Sequence, residues 1–294
     1  MTRTALVLAA HGSRGEPAVN AQIRAYADAV VARTLFDEVA VAFHQGDPSF
    51  SDVLDQLTAE DVTVVPVMTS VGYYSDTMLP RELARNRRYA GVTLRQTAPL
   101  GTHASLVDIM ADRVRSLYKR FGLLTGAGTP PPFQAEGDQD GSPKGRGEGG
   151  GVSLAVIGHG TSRHAQSRNT TRDLAAWLRR MRIADEVAAA FLDDDPPVDS
   201  LLERVRHASV VVAPFLIGVG PHAVGDIPRR VGLAVSENAT PPFSGRVGDR
   251  LVVCDAPIGA DPRIVDLIVE LAFSGCAGAT DGDRGTASPA EAWR

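Results

Sequence analysis

The sequence has few cysteines, no long apolar run and no surplus of basic residues, and each shortage argues against a class of protein. Its 294 residues include only Cys254 and Cys276, whose spacing matches no zinc or cluster motif. We therefore expect no thiol-bound cofactor and a reducing, cytoplasmic location. No run approaches the roughly 18 consecutive apolar residues of a membrane helix. The formal net charge of −5 argues against a nucleic-acid-binding protein, which usually carries a basic surplus.

The chain contains an internal repeat. At one constant offset, His11-Gly12 aligns with His159-Gly160 and Asp47-Pro48 aligns with Asp195-Pro196, with no gap between them. The second copy then carries an insertion at 236–248 that is rich in Pro, Gly and Ser. A hydrophobic content of 44% is ordinary for a soluble globular protein, so the repeat indicates a duplicated domain.

Composition divides the chain into four segments. Between the copies the sequence is dense in Gly and Pro and almost free of apolar residues, which is typical of a flexible linker, and the end of the chain has the same character. We predict an α/β domain at 1–124, a flexible linker at 125–151, a second α/β domain at 152–273 and a disordered tail at 274–294.

Each copy alternates short apolar runs, typical of buried strands, with longer segments of helical spacing. This alternation predicts two doubly wound α/β domains, each with a mainly parallel four-stranded sheet flanked by helices. In such sheets, ligands bind beyond the carboxyl ends of the strands. We therefore expect the functional residues in the loops that follow the first three strands of each copy.

In the second copy, these loops bring two histidines and an acidic run to one crevice. His159 follows the first strand, the aspartates at 193–195 follow the second, and His222 follows the third. Imidazoles with carboxylates can hold a divalent cation or accept protons near neutral pH. Gly220 would let a ligand approach the backbone closely. The matching residues of the first copy are His11, Gln45 and Tyr74.

Simpler interpretations stay open for each of these residues. A histidine at a strand end can cap the next helix, and the acidic run can be a solvated turn before Pro196. The tyrosine can be ordinary packing, and nearby arginines can form surface ion pairs. A phosphoryl-transfer enzyme of the histidine phosphatase type is disfavoured, because Ala10 and Gly158, rather than arginine, precede the two histidines.

As a set, these motifs resemble the sirohydrochlorin chelatase family, the class II cobalto- and ferrochelatases of cobalamin and siroheme synthesis, in its long two-domain form. The shared pattern is an apolar strand ending in His-Gly-Ser/Thr, Ala-Phe before an acidic turn with proline, and Val-Val-x-Pro leading to Gly-x-His. It covers both copies, over about 4–121 and 152–273. The resemblance implies a chelatase-like fold and a lyase that inserts Co²⁺, Fe²⁺ or Ni²⁺, as substrate, into a tetrapyrrole without a prosthetic group.

The resemblance also implies roles for individual residues. His159 and His222 would bind the metal and accept the pyrrole protons, with Asp193 as the third metal ligand and His11 as a further catalytic histidine. The first copy lacks the second histidine and the carboxylate, so it is expected to be degenerate. Substrate contacts are expected from Arg14, Arg163, Tyr74 and Gly220, with rim arginines at Arg168, Arg229 and Arg230.

Two further expectations concern partners and the alternative function. The implied partner is a tetrapyrrole, with no nucleic acid and no membrane, and the internal duplication favours a monomer or a weak homo-oligomer. The alternative is a non-catalytic metal- or tetrapyrrole-binding carrier derived from a chelatase, which Gln45, Tyr74 and the short carboxylate at Asp193 favour. Turnover with a metal and a tetrapyrrole would separate the two functions.

Overall fold

The structure, a computed structural model, describes residues 2–123, 151–161, 165–220, 222–236 and 239–274, with the backbone alone at 165, 222 and 223. The predicted linker, apart from residue 151, lies outside the described residues. The same is true of Arg163 and of the predicted tail beyond residue 274.

The first half forms a four-stranded parallel sheet, as predicted, in the order β2-β1-β3-β4. The central strand is apolar along its length because helices cover both faces of a parallel sheet. Its side chains enter two cores in alternation, with Leu6 and Leu8 on one face and Ala5 and Val7 on the other. The elements are β1 (Thr4–Gly12), α1 (Pro17–Val31), β2 (Glu38–Gln45), β3 (Asp61–Pro66), α2 (Leu79–Leu83), β4 (Thr93–Gln96) and α3 (Leu106–Phe121).

The second half repeats this plan and adds one strand, in the order β6-β5-β7-β9-β8. All of these strands pair in parallel except β8, which is antiparallel to β9. The elements are β5 (Val152–Gly158), α4 (Ala165–Arg180), β6 (Glu186–Phe191), α5 (Leu201–Arg204), β7 (Ser209–Pro214), α6 (Ile227–Arg230), β8 (Phe243–Val247), β9 (Arg250–Cys254) and α7 (Ile264–Ser274).

Strand β8 falls inside the segment that the sequence predicts as an insertion, so the second sheet has five strands rather than four. Its buried Phe243 joins the core of this half, and Val247 packs against the same core. The hairpin to β9 turns at Gly248, whose φ of 62° is readily adopted only by glycine. The insertion therefore covers a sheet edge at which, among the described residues of the first half, no further strand pairs.

The last helix of each half packs on the sheet of the other half. Helix α3 contacts β7 and α4, while α7 contacts β3 and α1. Arg113 of α3 binds Asp255 at 2.8 Å, and Arg33 after α1 binds Asp266 of α7 at 2.6 Å. One apolar core consequently runs between the two sheets and includes residues of both halves. The exchange of helices ties the two copies of the repeat into one folded unit.

The loop after the third strand has the same unusual form in both halves. Each loop leads into a single π-helical turn, Tyr73–Met78 in the first half and His222–Asp226 in the second, which continues into a short α-helix. Such turns are rare and occur frequently at functional sites. Among the described helices, none combines the length and the apolar character that crossing a membrane requires.

Candidate functional site

The two histidines that follow the first strands are held in the same way. His11 Nδ1 lies 3.0 Å from the carbonyl oxygen of Gly12, and His159 Nδ1 lies 3.1 Å from that of Gly160. Because a carbonyl oxygen only accepts hydrogen bonds, Nδ1 is the donor in both, and in the neutral ring Nε2 then carries the lone pair. Each imidazole therefore has the tautomer that can bind a metal or accept a proton through Nε2.

The glycine after each histidine is required by the backbone. Gly12 and Gly160 have φ values of 67° and 71°, in the left-handed region that favours glycine. A Cβ atom on Gly160 would lie 2.6 Å from Cβ of Asp194, which leaves no room for a side chain. The His-Gly motif thus turns the chain sharply at the sheet edge and brings the acidic run beside the histidine.

In the second half, His159 and Asp193 form a pair at a cavity of about 200 Å³. Nδ1 of His159 is 3.4 Å from Oδ2 of Asp193, and both side chains are exposed to solvent. The carboxylate therefore lies on the Nδ1 side of the ring, where it can orient the imidazole. The cavity is lined by His159, Leu192, Asp193, Asp226, Arg229 and Arg230.

Two of the predicted rim arginines, Arg229 and Arg230, lie on the cavity wall. Arg230 is fixed in place, because its Nε donates to Asp199 at 2.9 Å and its Nη1 donates to the Leu192 carbonyl at 3.0 Å. The hydrogen bond with Asp199 raises the pKa of Arg230, and the neighbouring carboxylate of Asp193 acts in the same direction. Arg229 is largely exposed and lies 4.0 Å from Asp226. The cavity wall therefore holds two guanidinium groups and the carboxylates of Asp193 and Asp226 beside the histidine.

The other predicted residues are placed less completely. The backbone of His222 begins the π-helical turn after β7, but its side chain lies outside the described atoms, as does all of Arg163. Arg168 binds Asp194 at 3.2 Å, which fixes the acidic turn. Arg14 is exposed on the loop after β1. Among the described side chains, no three His, Cys, Asp or Glu residues form a metal site, so the ligand set with His222 remains a prediction.

The first half contains a cluster of three rings. The centroids of His11 and His44 are 5.3 Å apart, and the Tyr74 ring lies 4.6 Å from His11 and 5.0 Å from His44. We name His11, His44 and Tyr74 the three-ring cluster. The predicted site residues His11 and Tyr74 thus meet, and His44 joins them.

Sequence reasoning missed His44 because it does not align with a histidine in the second copy, where Leu192 takes its place. The signal was its position at the end of β2. Pairing of Ala10 with Phe43 and of Gly12 with Gln45 sets His11 beside His44 on adjacent parallel strands. Burial lowers the pKa of His44, and the neighbouring His11 lowers it further. His44 is therefore held towards its neutral, metal-binding form.

A glutamine from the first half fixes the loop that leads to His222. Nε2 of Gln22 donates to the carbonyls of Ile217 and Gly259, both at 2.9 Å, and its Oε1 accepts from the Val219 amide at 2.7 Å. The same loop packs against α1, since a Cβ on Gly220 would lie 3.1 Å from a Val19 methyl group. The predicted site of the second half is thus positioned by a helix of the first half.

Comparison with known proteins identifies relatives of the whole chain. The sequence profile of the CbiX family matches residues 5–117 and 153–274, one match in each copy. A protein of Halobacterium salinarum named probable sirohydrochlorin cobaltochelatase is 32% identical, over 95% of this chain and 93% of its own length.

Solved structures share the fold. The sirohydrochlorin chelatase SirB from Bacillus subtilis subspecies spizizenii, solved with cobalt, superposes with a TM-score of 0.63 at 18% identity, over 93% of this chain and 95% of its own. A multi-domain protein of Deinococcus radiodurans, described as similar to chelatases with two additional domains, gives 0.66 at 24% identity, over 94% of this chain. This chain spans only 56% of that protein.

Proposed function

Because the chain belongs to the CbiX family, we propose that it inserts a divalent metal into sirohydrochlorin, with Co²⁺ as the first candidate and Fe²⁺ as the second. The relative at 32% identity, which this chain matches over nearly its full length, is named for the cobalt reaction. The observation in the structure that carries the proposal is the His159–Asp193 pair at the edge of a cavity with two arginines on its wall.

The chemistry of insertion suits this pair. The metal gains four pyrrole nitrogens as ligands while the macrocycle loses two N–H protons, so the protein must deliver a metal and take up protons. A neutral imidazole can do both, since it is a ligand for Co²⁺ and Fe²⁺ and a base near neutral pH. A sparse ligand set also lets the metal leave, whereas a closed four-ligand site would retain it. We assign these two tasks to Nε2 of His159.

His222 would supply the second imidazole. Its position at the start of the π-helical turn after β7 puts its backbone at the same sheet edge as His159, and the family resemblance gives it the role of partner histidine. We also assign His11 a catalytic role, as a further histidine of the cleft. Contacts to the substrate are assigned to Arg14, Arg163, Tyr74 and Gly220.

The two arginines on the cavity wall, Arg229 and Arg230, suit the negative charge of the substrate. Sirohydrochlorin carries eight carboxylates, and a guanidinium binds a carboxylate through two parallel hydrogen bonds. Asp199 holds Arg230 in place and offsets part of its charge, whereas the more exposed Arg229 can turn towards a substrate carboxylate. The overall negative charge of the chain does not oppose this, because the local field governs binding in a cleft.

The direct test follows the absorbance of sirohydrochlorin with the purified full-length protein and Co²⁺, then Fe²⁺ and Ni²⁺, under anaerobic conditions. We expect a metal-dependent spectral change that is faster than the uncatalysed reaction and proportional to protein concentration. A spectral change on binding without faster insertion would overturn the chelatase and identify a carrier. An unchanged spectrum with every metal would exclude sirohydrochlorin as the substrate.

Replacing Asp193 with asparagine tests its orienting role. Asparagine keeps the size of the side chain but removes the charge that fixes the Nδ1 proton of His159. Loss of such a carboxylate partner typically costs 10–100-fold in metal affinity or activity, so we expect the insertion rate to fall roughly tenfold to a hundredfold. The matched control is Asp195→Asn, which is exposed in the same run but does not line the cavity. Equal losses in both variants would show a general charge effect instead.

Replacing Gln22 with alanine tests positioning across the two halves. The variant loses the hydrogen bonds to the Ile217 and Gly259 carbonyls and the acceptor for the Val219 amide, so the loop before His222 is expected to shift. A misplacement of about 1 Å can cost ~10²-fold in rate, so we expect kcat to fall with little change in the far-ultraviolet circular dichroism. The control is Thr170→Ala at the repeat position in α4, whose hydroxyl donates to the Gln166 carbonyl of its own helix. An unchanged kcat for Gln22→Ala would contradict the assignment.

A further inference from the structure

Both halves of the chain carry histidines at the carboxyl edge of their sheets, but at different strand ends. The second half has His159 after the first strand and His222 after the third. The first half has His11 after the first strand and His44 at the end of the second. The first half thus has Tyr74 where the second half has His222, and it has His44, beside His11, where the second half has Leu192.

We propose that His11 and His44 of the three-ring cluster bind a divalent first-row transition-metal ion at a second site, separate from the site of His159. The proposal goes beyond chelation, since it concerns metal binding in the half that the sequence predicts to be degenerate. Imidazole nitrogen is a common ligand for Co²⁺, Ni²⁺ and Zn²⁺. With only two protein ligands, the site binds metal in an exchangeable way, with the remaining positions open to water or substrate.

The spacing of the two rings fits a shared ion. Two imidazoles that bind one tetrahedral ion through metal–nitrogen bonds of about 2.0–2.1 Å have ring centroids roughly 5 Å apart. The centroids of His11 and His44 are 5.3 Å apart, with the ring planes inclined by 62°. In-register pairing of β1 with β2 holds this spacing, because the two residues sit on neighbouring positions of a rigid parallel ladder.

The tautomer of His11 is already set for metal binding. Histidine ligands nearly always donate their other ring N–H to a carbonyl or carboxylate, which fixes the ring and makes the ligating nitrogen more basic. The bond from Nδ1 of His11 to the Gly12 carbonyl, at 3.0 Å, is this arrangement. The centroid of the Tyr74 ring lies 4.6 Å from that of His11 and 5.0 Å from that of His44, so the tyrosine packs against both imidazoles.

The position that matches His44 in the second half argues for a separate role. Leu192 stands there, on the wall of the cavity that contains His159 and Asp193. Each half therefore lacks one histidine that the other half has, and neither ligand pair can be built in the opposite half. The two sites should differ in affinity and should respond independently to substitution.

The test is a titration of the full chain with Co²⁺ alone, followed by visible absorption and by equilibrium dialysis. We expect one bound equivalent to be lost in His44→Ala and retained in His159→Ala. Since no tetrapyrrole is present, this result is independent of whether the chain is a chelatase. Unchanged binding in His44→Ala, or loss of all bound Co²⁺ in His159→Ala, would overturn the proposal.

A second variant guards against misfolding. His44→Gln keeps a polar side chain of similar length at the end of β2 but removes the imidazole, so it should lose the same equivalent of Co²⁺ with a native circular dichroism spectrum. Tyr74→Phe should keep the bound equivalent, because the two imidazoles remain. If a folded His44→Gln variant retained this equivalent of Co²⁺, His44 would contribute to packing and not to metal binding.

Discussion

The His159→Ala variant is expected to lose metal insertion into sirohydrochlorin almost completely while remaining folded. The substitution removes the nitrogen that we assign to both metal delivery and proton uptake. Loss of a general base alone typically costs 10²–10⁴-fold, so we expect the initial rate to fall by roughly 10²-fold or more. The side chain is about half exposed, at 48%, so little core packing is lost. The assay is anaerobic spectrophotometry with Co²⁺.

The matched control is His11→Ala, which removes the equivalent histidine of the other half with the same backbone environment. We expect a smaller loss of rate, because His11 pairs with His44 and not with the Asp193 carboxylate. Equal damage in the two variants would contradict a site confined to the second half. It would instead indicate one composite cleft that needs both histidines in every turnover.

The second large effect is expected on stability, from Gly259→Ala. A Cβ on Gly259 would lie 1.8 Å from the carbonyl oxygen of Ile217, which also accepts a hydrogen bond from Gln22 of the first half. Gly259 also donates to the Leu216 carbonyl at 3.1 Å, and its own carbonyl accepts from Gln22 and Tyr26. Forcing extra volume into such a site costs about 1–3 kcal/mol or more.

We therefore expect Gly259→Ala to lower the free energy of unfolding by about 2–3 kcal/mol and the melting temperature by roughly 5–10 °C. Thermal and urea unfolding followed by circular dichroism would measure both. Gly91→Ala is the control, since a Cβ at Gly91 meets no atom within 4 Å. A melting temperature within a degree or two of the unmodified chain would contradict the close backbone approach.

The same contact explains a motif of the repeat that carries no chemistry. Gly101 in the first half matches Gly259, and a Cβ there would lie 2.0 Å from the carbonyl oxygen of Thr69. In each half, the glycine after Ala-Pro-Leu/Ile lets the chain pass against the loop that follows the third strand. The motif therefore serves packing in both copies, because it lets the backbone lie directly against the loop after the third strand.

The sequence by itself determined the repeat, the fold class and the sheet edge at which the site lies. These follow from local patterns: buried parallel strands are apolar along their length, and a residue after such a strand must emerge at its carboxyl end. His11 and His159 could be located in this way. Arg229 and Arg230, which the family resemblance gave as rim arginines, also line the cavity.

Only the tertiary structure decided how the copies combine. Nothing in the apolar spacing of α3 or α7 says which sheet they cover, because the two sheets present equivalent apolar faces to them. The sequence did not predict strand β8, because its Gly and Pro neighbours are typical of loops. The partnership of His44 with His11 depends on strand register, and the place of Asp193 beside Nδ1 depends on the left-handed turn at Gly160. Contacts between segments that are distant in the chain set all four features, so no local pattern could reveal them.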